Sequence, residues 1–125
     1  MKIRILDDSI RLRLSQADVA AAGEQGLVEG HTRFPDGSVF SYALEARAGG
    51  DAAASYGGSR LVVGLPAGQI AAWAGDDEAV SLHGEVALPD GGRLKLLVEK
   101  DFRCLTGRPD EDQSGLFVNP QSGEC

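Results

Sequence analysis

A chain of 125 residues, 42% of them apolar, can bury one core without disulfides or a structural metal, so a single domain is expected. Its 12 Lys and Arg against 19 Asp and Glu give a formal charge of −7, which argues against non-specific binding to nucleic acid or to an anionic membrane. No stretch approaches the roughly 18 consecutive apolar residues that a membrane-spanning helix needs, and two cysteines are too few for a disulfide scaffold.

In chain order, Ile3 and Ile5 alternate with Lys2 and Arg4, and Ile10, Leu12 and Leu14 alternate with Arg11 and Arg13. With Asp7-Asp8 between them, the two runs predict a β-hairpin with one apolar and one basic face. The same N-terminus has no apolar core of the kind a secretory signal carries, so a cytoplasmic protein with reduced thiols is expected. Ser15 is placed to cap a short Ala-rich helix, with Asp18 in its first turn and Gly23 or Gly26 at its end. Val28, Thr32 and Phe34, then Phe40, Tyr42 and Leu44, flank a Pro35-Asp36-Gly37 turn and predict a second hairpin.

After the Ala48-Gly49-Gly50-Asp51 joint the order repeats. A weaker strand near Ala54 to Tyr56 turns at Gly57-Gly58 into Leu61, Val63 and Leu65. Pro66 opens a second helix carrying Ile70 and Trp73, and Gly75 ends it. Val80, Leu82, Val86 and Leu88, then Leu94, Leu96 and Val98, flank a Pro89-Asp90-Gly91 turn.

Self-similarity at this spacing describes two strand–strand–helix–strand–strand units, one over about 1–48 and one over about 52–102. The expected fold is α+β and mostly antiparallel β. Two ββαββ repeats form a single domain over 1–103, as a barrel or as two packed sheets with two short helices. Residues 104–125 have little periodicity, carry Asp110-Glu111-Asp112, and predict an irregular acidic tail.

Lys2-Ile3-Arg4-Ile5 and Ser9-Ile10-Arg11-Leu12-Arg13-Leu14-Ser15 near the start carry a family likeness. So do Val98-Glu99-Lys100-Asp101-Phe102, Cys104-Leu105, Glu111-Asp112, Phe117 and Asn119-Pro120 further on. Together they resemble a family of small uncharacterised bacterial proteins, a domain of unknown function. The resemblance spans most of the chain. It implies a single-domain bacterial protein and brings no chemistry with it.

Three constellations could carry function. The first is His31, Glu45, His83 and Glu99, one His and one Glu from each unit. If Phe34 faced Phe40, His31 would lie diagonal to Glu45. If Leu88 faced Leu94, His83 would lie opposite Glu99, within reach across a strand pair. Two His and two carboxylates suit zinc or another divalent metal. The vicinal oxygen chelate enzymes are similar in building a site from a duplicated β-rich unit. This chain departs from them in opening each unit with a hairpin and in its His–Glu spacing. The competing reading is a solvated face with ordinary His–Glu pairs.

The second constellation is the basic hairpin face of Arg4, Arg11 and Arg13 with Lys2, which suits the bidentate binding of a phosphate or carboxylate anion. The triphosphate tunnel enzymes are similar in their charged interior, but their Glu-x-Glu-x-Lys first strand is absent here. The competing reading pairs these cations with carboxylates such as Glu45, Glu99 and Asp101 on neighbouring strands, each exposed pair worth roughly 0–1 kcal/mol.

The third is Cys104 with Cys125, with twenty residues between them. A bridge would close a loop worth on the order of 3 kcal/mol. The pair could also ligate a metal with the histidines, or serve as a thiol redox couple.

The reading that follows is a small cytoplasmic bacterial binding or accessory protein without catalysis of its own. Its expected partners are another protein or a small anionic ligand, with no nucleic acid and no membrane, and it acts as a monomer or homodimer. The alternatives are a metal-dependent enzyme using the His/Glu set where the repeats meet, and a thiol redox module using Cys104 and Cys125.

Overall fold

Alternation of buried and exposed side chains fixes which way each strand faces, and the computed structural model, which describes residues 1–102, shows where those faces go. The elements are β1 (Lys2–Ile5), β2 (Ser9–Leu14), α1 (Gln16–Gln25), β3 (Leu27–Arg33), β4 (Val39–Arg47), β5 (Ala53–Gly57), β6 (Arg60–Pro66), α2 (Ala67–Gly75), β7 (Ser81–Ala87) and β8 (Arg93–Lys100). The two expected ββαββ units are present. They form two four-stranded sheets, not a closed barrel. The first sheet runs β1-β2-β8-β7 and the second β3-β4-β6-β5.

Each unit therefore contributes one hairpin to each sheet. Helix α1 carries the chain from the first sheet to the second, and α2 carries it back. A lone two-stranded hairpin is marginal in water, so neither unit builds a sheet without the other. The seams between units are parallel: β2 runs beside β8 with Leu12 paired to Val98, and β4 runs beside β6 with Leu44 paired to Val63. The other four ladders are antiparallel. The fold is mostly antiparallel, as expected, and the two parallel ladders are the inter-unit seams, which leave no turn signal in the sequence.

The four seam residues just named point between the sheets. With Ile10, Leu14, Val28, Tyr42, Leu61, Leu65 and Leu96 they form one core, closed by Val19, Ala22, Ile70 and Trp73 of the helices. Val98 is fully buried, and Leu12, Leu44 and Val63 are 1% exposed. Burying each such side chain contributes about 1.5–3 kcal/mol.

Ser15 caps α1 through a reciprocal pair: Asp18 N–H donates to Ser15 Oγ at 3.2 Å, and Ser15 N–H donates to Asp18 Oδ2 at 3.1 Å. Of the two candidate stop glycines, Gly26 is the one in the left-handed region (φ 75°). Gly23 instead lies against α2, where an added Cβ would sit 2.9 Å from Ala74 Cβ. Pro66 proves to be the residue before the second helix and not its first turn. Trp73 Nε1 donates to the Val80 carbonyl at 3.0 Å, tying that helix to the strand that follows.

Both Pro-Asp-Gly turns close alike. Phe34 N–H donates to Ser38 O and Leu88 N–H to Gly92 O, each at 2.9 Å, with Gly37 and Gly91 at positive φ. Three-residue loops of this kind pair position 34 with 38 and 88 with 92. The registers suggested by pairing Phe34 with Phe40 and Leu88 with Leu94 are therefore two residues out. A shift of two keeps every side chain on its expected face and changes every partner. No helix among the described residues is long and apolar enough to cross a membrane.

Candidate functional site

The apolar residues of β1 and β2 face inward, which leaves Lys2, Arg4, Arg11 and Arg13 on the outer face of the first sheet. The antiparallel register sets Lys2 directly opposite Arg13 and Arg4 directly opposite Arg11. Cβ atoms at such positions are about 5 Å apart, so this block of four cations is self-repelling as it stands.

The parallel seam brings in the relief. Glu99 of β8 is paired with Arg13, and its carboxylate turns to Arg11. Both Nε and Nη2 of Arg11 lie 2.8 Å from Glu99 Oε1. Arg13 Nε is 3.7 Å from the same oxygen, within ion-pair range but too long for a hydrogen bond. That Nε is buried and has no hydrogen-bond partner. Asp101, just past β8, takes Lys2 at 2.9 Å and Arg13 Nη2 at 3.6 Å. Arg4 is exposed and has no acidic partner among the described residues.

Further along the same face, Arg93 meets Glu85 at 3.3 Å, and Lys95 is paired between Ser9 and Glu85. The described outer face thus presents six cations, Lys2, Arg4, Arg11, Arg13, Arg93 and Lys95, against three carboxylates, Glu85, Glu99 and Asp101. It does so in a chain whose formal charge is −7. Arg93 and Lys95 are the members that pattern-reading does not assign to this site. Their alternation was visible, but their place beside the basic hairpin depends on the β2–β8 seam.

The His/Glu set is divided between the sheets. His31 and Glu45 lie on the outer face of the second sheet, with His31 opposite Ser41 and Glu45 opposite Leu27. His83 and Glu99 lie on the first sheet, with His83 opposite Leu97 and Glu99 opposite Ser81. Glu99 is engaged by Arg11, and Glu45, on the other sheet, makes no ion pair with the basic hairpin. Among the described residues no group of three or more His, Cys, Asp or Glu side chains is arranged to hold a metal ion. Cys104, Cys125 and the acidic tail lie outside the described residues.

Two carboxylates are shifted in acidity, and neither belongs to the basic face. At Asp18, burial pushes the carboxyl up, but hydrogen bonds from the Met1 amino group, 2.9 Å away, and from Ser15 outweigh it and hold it below its ordinary value. Asp36, in the turn, is lowered by hydrogen bonds from the Ser38 hydroxyl and backbone N–H.

The model of a family of unknown function, DUF7009, matches residues 1–121, and the chain belongs to that family. No curated protein and no solved structure matches it.

Proposed function

We propose that this member of the family is a binding protein without catalysis of its own, and that it holds a phosphate or carboxylate group on the outer face of its first sheet, between Arg4 and Arg11. The observation that carries the reading is Arg4. It stands directly opposite a second arginine, and unlike its three cationic neighbours it has no carboxylate among the described residues. Two like charges placed across a strand pair destabilise the sheet. An anion bridging them reverses the sign of that interaction, and arginine's planar fork offers two parallel donors to such a group. Glu99 takes Arg11 through Nε and Nη2, so an incoming anion shares that guanidinium with a carboxylate, whereas Arg4 is free to turn to it. The surplus of cations along the rest of the face adds attraction at longer range, which salt screens.

A bacterial cytoplasmic setting belongs to the same proposal. Its bacterial part rests on the family resemblance of the sequence motifs, and its cytoplasmic part on the sparse cysteines.

Titration of the full chain with inorganic phosphate and with pyrophosphate, followed by amide chemical shifts, tests the reading. Shifts centred on β1, β2 and β8 are expected, weakened at least about tenfold in Arg4→Gln and diminished by salt. Shifts spread evenly over the surface, or unchanged by Arg4→Gln, would refute it.

A further inference from the structure

The described residues leave four strands at sheet edges: β1 and β7 in the first sheet, β3 and β5 in the second. Exposed edges invite pairing with other chains, and proteins commonly guard them with charge. β1 carries Lys2 and Arg4, β3 carries Glu29, His31 and Arg33, and β7 carries His83 and Glu85. β5 reads Ala53-Ala54-Ser55-Tyr56-Gly57 and has no charged or imidazole side chain. It is also held in register against β6. The Gly58-Ser59 turn has positive φ at both residues, 58° and 61°, the arrangement that suits a tight two-residue hairpin. Its inner neighbour β6 is anchored by Leu61, Val63 and Leu65 in the core.

We infer that β5 is a self-association edge: two copies of this chain pair antiparallel through Ala53–Gly57, joining their second sheets into one eight-stranded sheet. The occupant is a second copy because the segment is complementary to itself. With Ser55 on the two-fold axis, Ala53 faces Gly57 of the other copy and Ala54 faces Tyr56. Tyr56 is 68% exposed in the single chain, and in the pair its ring covers the small Ala54 side chain. No like charges meet at any position. An isologous contact of this kind closes as a dimer, leaving no β5 edge to propagate. Five residues a side make a small interface, at the weak end of specific association, so the pairing is concentration-dependent. It uses none of the residues assigned to the anion, and the two readings stand or fall separately.

Sedimentation equilibrium of the full chain over a wide concentration range reads the inference. The weight-average mass should rise toward twice the monomer value. Ser55→Lys, which places two ammonium groups face to face at the axis on an exposed position, should hold the chain at the monomer mass. Tyr56→Ala should weaken association several-fold with the fold intact by far-ultraviolet circular dichroism. A wild-type chain that stays monomeric throughout overturns the inference. So does a dimer that neither substitution affects, since it must use another surface.

Discussion

Arg11 and Glu99, 88 positions apart in the chain, meet at 2.8 Å across the parallel seam between β2 and β8. The contact joins the two ββαββ units on their outer surface, directly above the Leu12–Val98 pair that joins them inside. It also sets the charge balance of the basic face, because the same Glu99 oxygen is the nearest acidic group to Arg13 Nε.

Glu99→Gln keeps the shape and removes the charge. With Arg11 left without a carboxylate and Arg13 left with Asp101 alone, unfolding free energy should fall by about 1–2 kcal/mol, a figure kept small because the arginines are partly solvated. Urea denaturation measures it. The same variant should bind phosphate a few-fold more tightly than wild type, because more of the Arg11 fork is free. Loss of stability together with loss of binding would mean that Glu99 supports the site by orienting Arg11 and not by neutralising it.

Leu12→Ala tests the inner half of the seam. Leu12 is 1% exposed between the sheets, so the substitution should cost about 2–5 kcal/mol through lost burial and a residual cavity. Because both sheets contain strands from both units, thermal melts of this variant should remain a single transition. Two separated transitions would show that the units unfold independently.

Gly23→Ala should lower the melting temperature. Alanine ordinarily stabilises a helix interior by about 1 kcal/mol over glycine. Here the new Cβ would lie 2.9 Å from Ala74 Cβ, so α1 and α2 must move apart. The paired Ala74→Gly change should recover part of the loss if the clash is the cause.

Asp18 gives a pH dependence with a definite sign. Its carboxyl is held below the ordinary value of 3.8 by the Met1 amino group and Ser15. A group with a lowered folded pKa contributes stability that is present above the unfolded value and fades as pH falls through the folded one. Wild type should therefore lose more stability than Asp18→Asn on going from neutral pH to below 3.8. Equal acid sensitivity in urea titrations at the two pH values would remove Asp18 from the account.

Much of this was legible in the sequence. Period-two alternation placed Arg4, Arg11 and Arg13 on one face and Ile10, Leu12 and Leu14 on the other, as the structure has them. Ser15 marks the start of α1 and Gly23 or Gly26 its end, because a cap needs a local acceptor and a left-handed residue within a few positions of the helix; the structure selects Gly26. The hairpin registers were missed by two residues at each Pro-Asp-Gly turn. The loop type, not the most conspicuous aromatic or aliphatic pair, sets which residues face one another. That slip left His31 and His83 on their expected faces but gave them Ser41 and Leu97 as neighbours in place of the glutamates.

What was legible in the chain was therefore local: which strands join into hairpins, roughly where helices lie, and which side chains turn outward. Those properties depend on backbone sterics and on partners a few residues away. The tertiary structure alone decided that β2 lies beside β8 and β4 beside β6. Nothing within either unit specifies those seams, since each hairpin offers an equivalent free edge and an equivalent apolar face. They arise when α1 and α2 carry the chain between sheets and both apolar faces are buried at once. That choice places Glu99, Lys95 and Arg93 beside the basic hairpin and Glu45 on the other sheet, and it supplies carboxylates to Lys2, Arg11 and Arg13 but none to Arg4 among the described residues.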